Sequence, residues 1–115
     1  MAVVIYHNPR CSKSRETLEL LNAKGIKAKV IEYLKTPPSA AELKGLLKKL
    51  LMSPHELMRK KEPVYAKLRL GSAGLSDAAL IKAMVENPVL IERPIVVNGA
   101  KAALGRPLEA VAAIL

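Results

Sequence analysis

The chain has 115 residues, half of them hydrophobic and a quarter charged, which fits one ordinary globular domain and excludes a disordered chain. No apolar run approaches the ~18 residues that cross a bilayer, and Met1-Ala2-Val3-Val4-Ile5-Tyr6 lacks the basic leader of a signal peptide. The net charge of +9, from 19 Lys and Arg against 10 Asp and Glu, attracts anions; with no Phe or Trp and three scattered tyrosines there is no stacking platform, so nucleic acid is not an expected partner.

Val3-Val4-Ile5-Tyr6 is a short β-branched run stopped by His7-Asn8-Pro9, which predicts a buried strand entering a loop. From about Ser14 the period changes to helical, with Thr17, Leu18 and Leu21 on one face and Gly25 as the stop. Residues 28 to 34 read as a second strand. Strand, helix and strand within about thirty residues make a βαβ unit with two parallel strands.

The middle of the chain is helical. Ser39 with Glu42 forms a capping box, and Leu43, Leu46, Leu47, Leu50 and Leu51 follow as one apolar stripe. Ser53-Pro54-His55-Glu56 repeats the capping signature with Pro at the first helical position, and His55 is expected to be structural or exposed. A third helix begins near Ser76, carries Leu80, Ile81, Met84 and Val85 on one side, and ends by Asn87-Pro88. Ile95-Val96-Val97, Asn98-Gly99 and Lys101 to Leu104 then predict a hairpin with a type I′ turn. A closing helix follows Pro107, its stripe packing internally, so a monomer is expected. The order βαβ, helical insert (about 37–88), ββα is the thioredoxin-like α/β plan, within a single domain over 1–115.

Cys11 is the only cysteine, so neither an intrachain disulfide nor an all-cysteine metal site can form, and no metal site is expected. A reducing cytoplasm is the expected compartment. In His7-Asn8-Pro9-Arg10-Cys11-Ser12-Lys13-Ser14-Arg15 the thiol falls between strand and helix. There the unpaired N–H groups and the positive helix end favour a thiolate and can cradle an oxyanion. Arg10, Lys13 and Arg15 add charge, and His7 adds more if protonated. The plainer alternative for His7 is a hydrogen-bonded histidine at a strand end. Cys11 to Ser14 is C-x-x-S, so a resolving thiol must come from outside, and the Ser14 hydroxyl is suited to donate to the thiolate or to a bound anion.

Tyr6 to Arg15, Leu57-Met58-Arg59-Lys60, Glu92-Arg93-Pro94-Ile95-Val96-Val97 and Gly105-Arg106-Pro107 together resemble the glutaredoxin-coupled arsenate reductase (ArsC) family, over essentially the whole chain. Among its members the chain is most similar to the short proteobacterial ones. The resemblance implies a thioredoxin-like fold with an inserted helical subdomain. It matches the family's catalytic cysteine to Cys11, its pKa-lowering histidine to His7 and the following serine to Ser14. Its three oxyanion-binding arginines match Arg59, Arg93 and Arg106, and its cis-proline matches Pro94. As plain chemistry, Arg59 in Arg59-Lys60-Lys61 also reads as one more solvated base.

The activity so implied is reduction of arsenate to arsenite, with glutathione as co-substrate, glutaredoxin as partner and no bound cofactor. Phosphate, of the same shape, would be an analogue that is not reduced. Two alternatives stand beside it. One is a glutathione-dependent thiol–disulfide reductase indifferent to Arg59 and Arg106. The other is an Spx-like redox regulator binding RNA polymerase, against which Ser14 in place of a second cysteine counts.

Overall fold

The computed structural model describes residues 2–115, which form two compact units. One comprises the chain up to Thr36 together with Arg93–Leu115; the other is Pro37–Glu92. Among the described residues, no helix is long and apolar enough to cross a membrane.

The first unit is built on a sheet of four strands, β1 (Val3–His7), β2 (Lys29–Glu32), β3 (Ile95–Asn98) and β4 (Lys101–Leu104), in the order β2-β1-β3-β4. β1 pairs with β2 in parallel through the crossover helix α1 (Ser12–Ala23), and with β3 antiparallel. This is the thioredoxin-like arrangement expected from the sequence. Val3 and Ile5 alternate onto one face, where they join Val96 and Ala103 from the neighbouring strands. Leu21 of α1 and Val111 of the closing helix complete that core, each fully shielded from solvent.

Several boundaries differ from the sequence reading, each for a local reason. α1 starts two residues earlier than Ser14, with Cys11 as its N-cap, and stops at Gly25, whose φ is +72°. β2 is four residues long, because Glu32 accepts backbone hydrogen bonds from Lys35 and Thr36 and turns the chain away. In the β3–β4 hairpin the loop is Gly99-Ala100, and only Gly99 has a positive φ, +63°. That excludes the type I′ turn, which needs two such residues, and matches the II′ pattern with Gly first.

The second unit is helical: α2 (Ala40–Leu50), α3 (Pro54–Leu57), α4 (Pro63–Lys67) and α5 (Asp77–Glu86), with a 3-10 turn at Pro88–Leu90. Both capping boxes form as expected, Ser39 with Glu42 and Ser53 with Glu56. Leu43, Leu46 and Leu47 of the α2 stripe are buried. Leu51 is not part of it: as the left-handed C-cap, at φ +57°, it is 91 % exposed. On α5 the buried residues are Leu80, Ala83 and Met84, while Ile81 and Val85 are only partly covered. α4 was not anticipated; its residues are all at least partly exposed, so no apolar stripe announces it. His55 meets the hydroxyl of Tyr65 at 2.6 Å, a structural role. The unit runs to Glu92 because residues 90–92 bond back to 57–59, through Arg59 N–H to the Leu90 carbonyl and Glu92 N–H to the Leu57 carbonyl. Closing the chain in the first unit is α6 (Leu108–Ala112), tied down by a bond from Asn98 Nδ2 to the Ile114 carbonyl.

Candidate active site

Alternation along β1 carries the core row Val3, Ile5 on to His7, so the imidazole enters the sheet face that α1 covers. Its Nδ1 lies 2.6 Å from the hydroxyl of Ser14, which is fully buried in the first turn of α1. That hydroxyl also accepts the N–H of Asn8 at 3.0 Å. The Asn8 carbonyl accepts the N–H of Cys11, its Oδ1 accepts the N–H of Arg10, and the Arg15 guanidinium donates to the carbonyl of Pro9. The loop before the helix is therefore pinned at every residue.

Burial lowers the pKa of His7, against a pull upward from Glu32 and with a further push downward from Arg15. At neutral pH the ring is uncharged, so it adds no positive charge beside the thiol; what it does is hold Ser14. The Ser14 hydroxyl, expected to donate to the sulfur, is held instead by His7 and Asn8. The backbone N–H of Ser14 acts on the sulfur in its place.

Cys11 is 8 % exposed at the N-cap of α1. Burial pushes its pKa up, but the N–H of Ser14, the charge of Arg93, the N–H of Lys13 and the charge of Arg106 outweigh that. The thiol ends below its ordinary value, which favours the nucleophilic thiolate form.

The two arginines come from one device. Ile95 pairs with Leu104, and continuing that antiparallel register by two residues puts Arg93 opposite Arg106. The hydrogen bonds continue too: Gly105 N–H donates to the Pro94 carbonyl at 3.0 Å, and Arg106 Nε donates to the Arg93 carbonyl at 2.9 Å. Arg106 Nη2 then reaches Cys11 Sγ at 3.4 Å. Like charges facing each other across a hairpin repel. An anion near them offsets that repulsion, and both charges favour the ionised form of Cys11. The Arg93–Pro94 bond is cis, as the resemblance implies, and so is Arg106–Pro107.

Gly105 was not singled out by the sequence reading, though it stands in a quoted motif. A Cβ there would lie 2.5 Å from the Thr17 hydroxyl and 2.6 Å from the Pro94 ring, so α1, Pro94 and the Arg106 segment close up around a bare backbone. A glycine between a strand and an Arg-Pro pair is the signal that points to it.

Cys11, His7, Ser14, Arg93, Pro94 and Arg106 all belong to the sheet unit, whereas Arg59 belongs to the helical unit. There Arg59 Nη1 pairs with Glu62 at 3.1 Å and its Nε lies 3.8 Å from Glu92. It is thus a held side chain and not a freely solvated base. Among the described residues no group of three or more His, Cys, Asp or Glu side chains could hold a metal ion.

The ArsC family model matches residues 6–114. The chain belongs to the ArsC family. A protein named YfgD from Escherichia coli K12, called uncharacterized, is 58 % identical over 114 residues, 98 % of this chain and 96 % of that one. An arsenate reductase from Haemophilus influenzae is 51 % identical over 116 residues, covering both chains fully. The solved structure of an arsenate reductase from Vibrio cholerae is similar at a TM-score of 0.97 and 56 % identity, over all of this chain and 98 % of that one. Within the ArsC family, then, the likeness extends over the whole chain and is not confined to the cysteine loop.

Proposed function

We propose that this protein is a cytoplasmic arsenate reductase that draws its electrons from glutathione and glutaredoxin. The observation that carries the reading is a thiol of lowered pKa with Arg106 3.4 Å from its sulfur and Arg93 set opposite Arg106. Relatives named arsenate reductase at about half identity over full length support the same substrate.

The Cys11 thiolate attacks arsenic(V), forming a sulfur–arsenic bond while one arsenate oxygen leaves as hydroxide and is protonated to water. Arg93 and Arg106 offer planar guanidinium donors to the remaining oxygens, and the Lys13 and Ser14 amides add a fixed positive field. Arg59 is the third arginine that the family resemblance assigns to the oxyanion. Glutathione then bonds through its sulfur to the arsenic, displacing a second oxygen as water. A glutaredoxin thiolate takes the glutathione sulfur as a mixed disulfide, and the electron pair of the broken bond stays on arsenic, now arsenic(III). Hydrolysis of the Cys11–arsenic bond releases arsenite and restores the thiol. Phosphorus does not accept the electron pair from thiols, so phosphate inhibits without turning over.

The test is arsenite formation from arsenate by the purified protein with glutathione and glutaredoxin, beside Cys11→Ser. Arsenite that requires Cys11 is the expected result. A folded protein with a reactive thiol that makes none would overturn the reading.

A further inference from the structure

The structure assigns a second subsite beside the thiol: a cavity of about 330 Å³, lined by Lys13, Glu16, Arg106, Leu108 and Glu109, takes a small zwitterionic peptide thiol or its disulfide. Its volume lies at the lower end of small-molecule sites, ~300 to 1,000 Å³. Arg106 ties it to the chemistry, lining the cavity while its Nη2 touches Cys11 Sγ. A ligand seated there is one guanidinium away from the reacting sulfur.

The charges select the ligand class. An inorganic anion would meet Lys13 and Arg106 but also two carboxylates, Glu16 and Glu109, that repel it. A peptide with a carboxylate at one end and an ammonium at the other satisfies both signs. Glu16 is engaged with Lys13 across one helical turn at 3.8 Å. Glu109, exposed on α6, makes no ion pair among the described residues, so it receives the ammonium while Lys13 and Arg106 face the carboxylate. Half-buried Leu108 gives the peptide an apolar wall. The inference takes from the proposed function only the identity of the thiol, glutathione, which has a glycyl carboxylate at one end and, at the other, an ammonium beside a second carboxylate.

Thiol–disulfide exchange tests the subsite without arsenate. The Cys11 thiolate attacks one sulfur of oxidised glutathione, the Cys11–glutathione disulfide forms, the original disulfide breaks, and the departing thiolate is protonated by solvent. The rate is read by mass spectrometry of the Cys11 adduct. Three probes are compared: oxidised glutathione, the same disulfide with acetylated amino groups, and uncharged bis(2-hydroxyethyl) disulfide. Glu109→Gln is expected to slow the first about three-fold, the worth of an exposed ion pair, and to slow neither of the other two. An unchanged or faster rate with oxidised glutathione would overturn the subsite. So would slowing with all three probes, which marks a general loss of structure. Absence of arsenite formation bears on the substrate alone and leaves this result standing.

Discussion

The hydroxyl of Ser14 lies 2.6 Å from Nδ1 of His7, while the N–H of the same serine acts on the sulfur of Cys11. The imidazole thus acts on the nucleophile at one remove, by fixing the helix turn whose amides face it. Removing the hydroxyl and removing a cation should therefore affect different observables.

Ser14→Ala deprives the part-buried Asn8 N–H of its acceptor and leaves His7 without its partner. A loss of about 1–3 kcal/mol in stability is expected, because an unmet buried polar group carries its full desolvation cost. The backbone N–H remains, so the pH profile of Cys11 alkylation should move less than in arginine variants. Urea unfolding and iodoacetamide kinetics read the two effects.

Arg106→Ala removes both a hydrogen bond to the sulfur and a positive charge, so the thiol pKa rises. The alkylation profile should shift to higher pH. The KM for arsenate should rise about ten-fold, as for loss of a charge-assisted hydrogen bond. Arg106→Lys should restore only part, since lysine lacks the Nε that holds the Arg93 carbonyl.

Both shifted groups make stability depend on pH. The His7 pKa in the folded chain is below its usual 6.5, so the unfolded chain binds the extra proton in acid. Its contribution is complete above that value and falls as the pH drops below it. Cys11 is likewise depressed, so its contribution is complete above the ordinary thiol value and is lost as pH falls through the folded pKa. Unfolding free energies measured across this range should show a shallower acid decline for His7→Gln. Cys11→Ser should lack the alkaline gain.

Gly105→Ala puts a methyl into space already filled by Thr17 and Pro94. Destabilisation of about 1–3 kcal/mol is expected from overpacking. Because Arg106 follows directly, thiol reactivity at neutral pH should fall as well. A Thr17→Ser/Gly105→Ala double variant would not relieve the clash, since the hydroxyl oxygen stays.

Much of this was legible in the residues, where local chemistry decides the outcome. Ser39 and Ser53 with Glu three positions on, the β-branched runs and the glycine after Asn98 are local signals of where elements begin and end. The opposition of Arg93 and Arg106 was not legible, because a turn centred on Asn98-Gly99 would set Arg93 opposite Leu104, whereas the observed loop at Gly99-Ala100 sets it opposite Arg106. What stayed hidden depends on three-dimensional neighbours. Glu62 and Glu92 as holders of Arg59, and the bare backbone required at Gly105, leave no periodic trace. Of the two readings open for His7, the hydrogen-bonded histidine at a strand end matches its contact with Ser14, a partner seven residues away that no periodicity announces.

A hairpin that seats two functional arginines also works as a ruler. Arg93 and Arg106 meet because the numbers of residues on the two arms match around Gly99-Ala100. Substitutions along the arms leave that count intact, whereas one residue inserted into or deleted from β4 turns Arg106 to the opposite face of the sheet. In a scan of insertions and deletions, the segment from Ile95 to Leu104 should therefore tolerate changes of identity far better than changes of length.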